Sequence, residues 1–259
     1  MENETRTALI TGATAGLGKE FARQLAATGY NLVLVARTRE ALESTAAELT
    51  EAHGIEVHCI SADLSDRAAP QAIFDELRAK GIAIDYLVNN AGIAGPNLLE
   101  AGDWSDHHDF FQLMMLSIAE LCHLFVPPMQ QRGFGRVINV ASVAGRLARS
   151  GGCNYGPSKA WVIALSEELA LSVRGDGVNV SALCPGFTHT EFHERAGLMD
   201  MKNAMPRWLW YDADVVVREG LAAAERGKPV YCSGRLYRWL DPLFQSVFTR
   251  RLFTMGDGR

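Results

Sequence analysis

The 259-residue chain lacks the makings of a disulfide framework or a zinc site. Its five cysteines (Cys59, Cys122, Cys153, Cys184 and Cys232) are odd in number, scattered, and never in a C-x-x-C spacing. That usage fits buried thiols in a reducing compartment. An uninterrupted apolar run of membrane length is also missing. The greasiest stretch, Leu113 to Met129, is broken by Glu120, His123, Pro127 and Pro128, so it reads as a buried helix. The start, Met1-Glu2-Asn3-Glu4, is polar and acidic, so no signal peptide is expected and a cytoplasmic location is. No repeat or low-complexity tract interrupts the chain. With 48% hydrophobic and 21% charged residues, disorder and collagen are excluded.

Charge of one sign is not in large excess either, but the net −5 conceals an asymmetry. Residues 226–259 carry seven Lys/Arg against Asp241 and Asp257, a net +5, leaving −10 on residues 1–225. An acidic body argues against nucleic acid as a partner.

What is present is a rhythm. Apolar strand-like runs at Thr7–Thr11, Asn31–Ala36, Ile55–Ile60, Ile84–Val88, Arg136–Ala141, Val178–Leu183 and Pro229–Cys232 alternate with helical patterns. The helices are expected at Leu17–Thr28, Glu40–His53, Asp66–Lys80, Trp104–Gln131, Tyr155–Arg174 and Asp212–Arg226. Strands as continuously apolar as Leu32-Val33-Leu34-Val35-Ala36 belong to a sheet covered on both faces. The expectation is an α/β doubly wound Rossmann fold: one parallel sheet of about seven strands, helices on both faces, and a single domain over 1–259.

The first strand runs into Thr11-Gly12-Ala13-Thr14-Ala15-Gly16-Leu17-Gly18 and then a helix. Glycines here permit a tight turn and close approach of backbone to a pyrophosphate, and the helix N-terminus offers amide donors. The second strand ends at Ala36-Arg37. An acid there would bind the ribose 2′-hydroxyl of NAD; a guanidinium suits a 2′-phosphate, so NADP(H) is expected. The plainer alternative makes Arg37 and Arg39 solvated loop charges.

Taken together these segments resemble the short-chain dehydrogenase/reductase family. The glycine loop is similar to its cofactor motif, and Asn89-Asn90-Ala91-Gly92 to its fourth-strand motif. Ser142, Tyr155 and Lys159 match its catalytic residues, and Pro185-Gly186 with Thr190 its P-G-x-x-x-T segment. The likeness covers about residues 5–230. It implies cofactor contacts from Gly12, Thr14, Ala15, Gly16, Leu17, Gly18, Arg37, Asp63, Leu64, Asn90, Ala91, Gly92, Tyr155, Lys159, Pro185, Gly186, Thr188 and Thr190. The chemistry can be argued from the residues too. Tyr155 and Lys159 share a helical face, and a fixed ammonium favours the phenolate of a group whose free pKa is about 10. Ser142 would hydrogen-bond the substrate oxygen.

One departure stands out. Where the family usually has an Asn holding a relay water, this chain has Met114, counted back from Pro128-Met129. Methionine cannot hold that water. Ser117 or a backbone group substitutes, or the relay is impaired, or the register is shifted toward Gln112.

Weaker signals remain. His189 and His193 are four apart, but solvation or lid capping is favoured over a metal. His107-His108 read as polar residues of a surface helix. Cys153 lies near Tyr155 but is given no chemical role. The apolar residues of 196–211 suggest a substrate lid for an apolar substrate, or packing against the body or another subunit. The tail from 234 interleaves aromatic and basic residues, with Asp241-Pro242 interrupting any helix. Packing in a homo-oligomer, dimer or tetramer, is favoured over peripheral membrane contact. The overall expectation is an NADP(H)-dependent oxidoreductase interconverting an alcohol and a ketone or aldehyde. Its alternative is a dinucleotide-binding sensor or scaffold with little turnover.

Overall fold

A computed structural model describes residues 5–100, 102–148, 154–195 and 205–249. Its frame is a parallel sheet of seven strands: β1 (Thr7–Thr11), β2 (Asn31–Ala36), β3 (Val57–Ser61), β4 (Tyr86–Asn89), β5 (Gly135–Val140), β6 (Val178–Cys184) and β9 (Val230–Cys232). They lie in the order β3-β2-β1-β4-β5-β6-β9. Two further short strands, β7 (Thr188–His189) and β8 (Tyr211–Asp212), pair with each other in a separate parallel ribbon.

Helices cover both faces, as the unbroken apolar strands require. On one face α1 (Gly16–Ala27), α2 (Arg39–His53) and α8 (Ala213–Glu225) bury Phe21, Leu25, Leu42, Leu49, Val216 and Val217 against Ile10, Leu32 and Leu34. On the other, α3 (Ala69–Ala79), α5 (Ser117–Arg132) and α6 (Tyr155–Ser172) bury Ile73, Leu77, Leu121, Phe125, Val162 and Ile163 against Leu9, Val33 and Val137. α5 continues a shorter helix, α4 (Trp104–Phe111), through a π-helical segment at Gln112–Leu116. The combined Trp104–Arg132 rod is long and apolar enough to cross a membrane, yet half its apolar window is buried in the protein. α7 (Phe192–Arg195) and α9 (Arg235–Gln245) complete the elements used below.

Most expected elements occur within a few residues of their expected bounds. α3 starts at Ala69 and not Asp66, because the Asp63 and Asp66 carboxylates accept the N–H groups of Ser65 and Ala68 and hold that stretch in turns. The helix-breaking role expected of Asp241-Pro242 is corrected: α9 runs through Pro242. Packing of Tyr237 and Phe244, both buried, and an ion pair at Asp241 hold the helix despite the missing N–H.

A polar network crosses the sheet's interior. Asn89 Nδ2 donates to Asn139 Oδ1 (2.8 Å), Asn139 Nδ2 to Ser166 Oγ (3.0 Å), and Ser166 Oγ to the Val162 carbonyl (2.7 Å). Asn139, fully buried, thereby ties β4 and β5 to the middle of α6. Asn139→Ala should strip Asn89 of its oxygen acceptor, leaving it only the Cys122 sulfur, and open a cavity, lowering unfolding free energy by roughly 2–4 kcal/mol in urea denaturation. An unchanged midpoint would remove the network from the account of how α6 is held.

Candidate active site

The strand order reverses between β1 and β4, and the crevice outside their carboxyl ends is where ligands of such sheets bind. Buried Thr11, last in β1, closes the base of that crevice. Its hydroxyl accepts the N–H groups of Asn90 (2.9 Å) and Ala91 (3.0 Å) and points its own hydrogen at the Val88 carbonyl (3.4 Å). Asn90 returns the connection, its amide donating to the carbonyls of Thr11 (3.0 Å) and Gly12 (3.3 Å). The expected Asn90, Ala91 and Gly92 are thus brought against the glycine loop. Thr11 itself was read only as part of a motif. Its signal was a short hydroxyl at the exact end of an apolar strand.

The glycine loop is built for close approach. Gly12 sits at φ +65°, a region that favours glycine, and a Cβ on Gly18 would lie 2.0 Å from the Gly12 carbonyl oxygen. Helix α1 begins after Ala15, with no side chain capping it, so its first-turn amides fit an anion. Thr190 lies over the loop: a Cβ on Gly16 would be 3.3 Å from it. Arg37 stands exposed where β2 ends, and Asp63 and buried Leu64 follow β3 on the same edge. Burial pushes the Asp63 carboxyl up, but hydrogen bonds from Ser65 and the charge of Arg37 outweigh it and hold the acid below its usual range. Uncapped amides, a tight loop and a cation at the β2 edge fit a dinucleotide phosphate.

Two elements, the turn after β5 and α6, deliver the expected catalytic residues. Ser142 follows β5 and caps a 3-10 turn (Val143–Gly145), its Oγ accepting the Ala144 N–H at 3.1 Å. Tyr155 opens α6, and Lys159 comes one turn later. Lys159 is 4% exposed, donates to the Val140 carbonyl (2.8 Å), and carries its Nζ 5.7 Å from the centroid of the Tyr155 ring. Burial pulls the Lys159 ammonium down to about 8, opposed by the nearby Cys184 thiol. The turn packs directly on this helix, for a Cβ on Gly145 would meet the backbone of Lys159 and Ala160 at 2.7 Å. Ser142, Tyr155 and Lys159 therefore belong to one rigid unit. The Pro185–Thr190 segment reaches the same unit, since the Val143 N–H donates to the Pro185 carbonyl (3.0 Å).

Met114 lies in the π-helical segment, fully buried beside Gly92. Its Sδ accepts the Ile93 N–H at 3.3 Å, so it stands at the edge of the Asn89-Asn90-Ala91-Gly92 segment. The Ser117 N–H goes to Gln112, and the Ser117 hydroxyl instead satisfies the Leu113 carbonyl (2.8 Å). Ser117 is thus committed to the helix. Gln112 is buried with its Nε2 lacking a hydrogen-bond partner.

His107 corrects an expectation. It is 6% exposed, stacks on Trp104, and its Nδ1 meets Asn154 Nδ2 at 2.7 Å; only His108 is a surface residue. Asn154 directly precedes Tyr155, which explains why a histidine on that helix is turned inward. His189 stacks on Trp210. The side chain of His193, Cys153 and residues 196–204 of the expected lid lie outside the described residues, as does the tail from 250. Among the described residues, no group of three His, Cys, Asp or Glu side chains is arranged to hold a metal.

Comparison with known proteins adds independent findings. The family model of short chain dehydrogenases matches residues 6–200. Sulfoacetaldehyde reductase 2 from Chromohalobacter salexigens is 36% identical over 186 residues, 71% of this chain and 73% of that one. A short-chain dehydrogenase from Sphingobium yanoikuyae, solved in complex with NADPH, is similar over 90% of this chain and 91% of its own, with TM-score 0.80 and 32% identity. The bulky-bulky ketone specific alcohol dehydrogenase from Comamonas testosteroni superimposes over 95% of this chain and 94% of its own, with TM-score 0.77 and 26% identity.

Burial of Lys159 has a measurable consequence. A fall from the ordinary 10.5 to about 8 corresponds to about 3 kcal/mol against the buried ammonium. Below pH 8 the amine is protonated folded and unfolded, and this penalty is felt in full. Between pH 8 and 10.5 the folded protein sheds a proton that the unfolded chain keeps, so the penalty fades as pH rises. Lys159→Met should therefore be more stable than the wild type at pH 7, by up to about 3 kcal/mol. The gap should close toward pH 10, as followed by chemical denaturation. A variant less stable at pH 7, or a gap independent of pH, would contradict this account of the lysine.

Proposed function

The chain belongs to the short chain dehydrogenase family of oxidoreductases, and from that premise we propose that it interconverts an alcohol with a ketone or aldehyde using NADP(H). The observation that carries the reading is the buried Lys159 beneath Tyr155, on a helix packed against the turn that Ser142 caps.

The nicotinamide, when bound, supplies or accepts the hydride. Everything else falls to the chain. Ser142 Oγ takes the Ala144 N–H as its donor, so its own hydrogen is available for a substrate carbonyl oxygen, where negative charge develops during reduction. Tyr155 gives its phenolic proton to that oxygen in reduction and takes it back in oxidation. The Lys159 charge favours the phenolate left behind. Its single described hydrogen bond, to Val140, leaves donor capacity for the ribose hydroxyls.

Arg37 supports NADP(H) over NAD(H): it extends past β2 where a 2′-phosphate would lie, and the structural relative from Sphingobium yanoikuyae was solved with NADPH. An apolar substrate is supported by Phe192, whose ring lies 5.9 Å from that of Tyr155, and by the Phe187–Trp210 stack beyond it. The Comamonas relative's bulky-ketone preference points the same way.

A panel of aldehydes and ketones followed by NADPH absorbance tests the reading. Turnover should appear with apolar carbonyls, and Tyr155→Phe should lower kcat by roughly 10²–10⁴-fold while NADPH still binds. Arg37→Asp should move the NADP/NAD preference by roughly 10–100-fold. Near-full turnover in Tyr155→Phe would end the mechanism, and an unmoved cofactor ratio would end the NADP(H) assignment. Tight NADPH binding with no turnover on any carbonyl would favour a dinucleotide-binding sensor.

A further inference from the structure

The tail beyond residue 234 was set apart by its charge, yet its described part grips the substrate side of the site. Arg146, which ends the turn capped by Ser142, forms a two-pronged ion pair with Asp241 of α9: Nε to Oδ1 at 2.7 Å and the second guanidinium nitrogen to Oδ2 at 2.6 Å. Both side chains are largely buried, at 13% and 22% exposure. One turn further, Gln245 donates to the Arg146 carbonyl (3.1 Å). The Arg146 guanidinium is raised; burial lowers it, but the Asp241 carboxylate bonded to it wins.

The other end of α9 holds the opposite wall. Tyr237 Oη accepts the Phe187 N–H (3.3 Å) and donates to the Leu209 carbonyl (3.0 Å). It therefore links the segment after Pro185-Gly186 to Leu209, in the described part of the expected lid. The ring lies so close to Gly186 that a Cβ there would be 2.0 Å from it. The Leu236 N–H adds a bond to Tyr211 Oη (3.3 Å) in β8, and Arg238 anchors the helix to Glu219 of α8 (3.2 Å) and to Tyr231 (2.5 Å). One helix thus contacts the Ser142 turn, the Pro185–Thr188 segment and β8.

We infer that α9 braces the active site, with Asp241 and Tyr237 as positioning residues for the reaction proposed above. Neither touches the reacting atoms. Asp241 acts through Arg146 on the turn that aims Ser142, and Tyr237 acts through Phe187 on the segment carrying Thr188 and Thr190. Small displacements of such groups reduce chemistry more than binding, because rate depends on near-attack geometry.

Asp241→Asn keeps the shape and removes the charge. It should lower kcat about tenfold, counted per NADPH-binding site, with the NADPH Kd within about twofold of wild type. Hydrogen exchange at the Val143, Gly145 and Arg146 amides should speed up. Tyr237→Phe should instead speed exchange at Phe187. The exchanged pair Arg146→Asp with Asp241→Arg should recover most of the lost kcat, which a merely destabilised fold would not. A kcat loss that tracks loss of NADPH-binding protein, or unchanged exchange at those amides in Asp241→Asn, overturns the brace. If the wild type turns over no carbonyl, the proposed reaction fails, while amide exchange still decides whether α9 holds these walls.

Discussion

A charged amine is buried in this protein, and the fold around it is arranged to tolerate that. Lys159 is almost fully enclosed, and one backbone carbonyl, Val140, is its described acceptor. Ammonium groups lose a great deal of hydration on burial, and one hydrogen bond does not replace it. Its Nζ lies 5.7 Å from the centroid of the Tyr155 ring, at the carboxyl end of β5. The site is therefore under an electrostatic strain that acceptors from cofactor and phenolate would relieve. Stability is given up in the free protein at the position where the proposed proton transfer would use a positive charge.

Holding that lysine in place requires α6 to sit at one height relative to the sheet. Two different interactions set it. In the interior, Asn139 joins β4, β5 and α6 through side-chain hydrogen bonds that allow one register. At the edge, Gly145 lets the Ser142 turn rest on the backbone of Lys159 and Ala160, a contact no other residue type could make. Similarly, Thr11 and Gly12 share four hydrogen bonds with Asn90 and Ala91 across the β1–β4 crevice, tying the glycine loop to the fourth-strand motif. Preorganisation here rests mainly on short backbone-directed hydrogen bonds, whose geometry a polar solvent cannot easily replace once they are buried.

What could be read from the residues follows from which interactions are local. Seven strands were legible because each is a short, mostly apolar run, and the doubly wound fold because helical patterns alternate with them. Ser142, Tyr155 and Lys159 were legible through the family resemblance, whose motif is local: a strand end and a helical spacing within eighteen residues. Non-local facts were not. Arg146 and Asp241 lie 95 residues apart, and nothing near either announces the other. His107 reads as polar surface because its neighbours Ser105, Asp106, His108 and Asp109 are polar; only the arrival of Asn154 from α6 buries it. The π-helical segment has the same apolar pattern as the α-helix on either side, so its shifted hydrogen bonds leave no trace in composition. β7 and β8, two residues each, fall below the length at which alternation means anything.

Met114 shows what this shifted segment does. An extra residue in a helical turn displaces the backbone bonds by one, and the Leu113 carbonyl, deprived of the Ser117 amide, is met by the Ser117 hydroxyl. The same local widening lets a long, flexible side chain lie flat against Gly92 and reach the Ile93 amide with its sulfur. A thioether is a weak acceptor, but Ile93 is partly solvated, so a weak bond suffices. A branched apolar side chain of similar volume would fill the space and leave that amide without its sulfur acceptor. The position thus has one structural duty, steadying the Asn89-Asn90-Ala91-Gly92 segment beside the crevice.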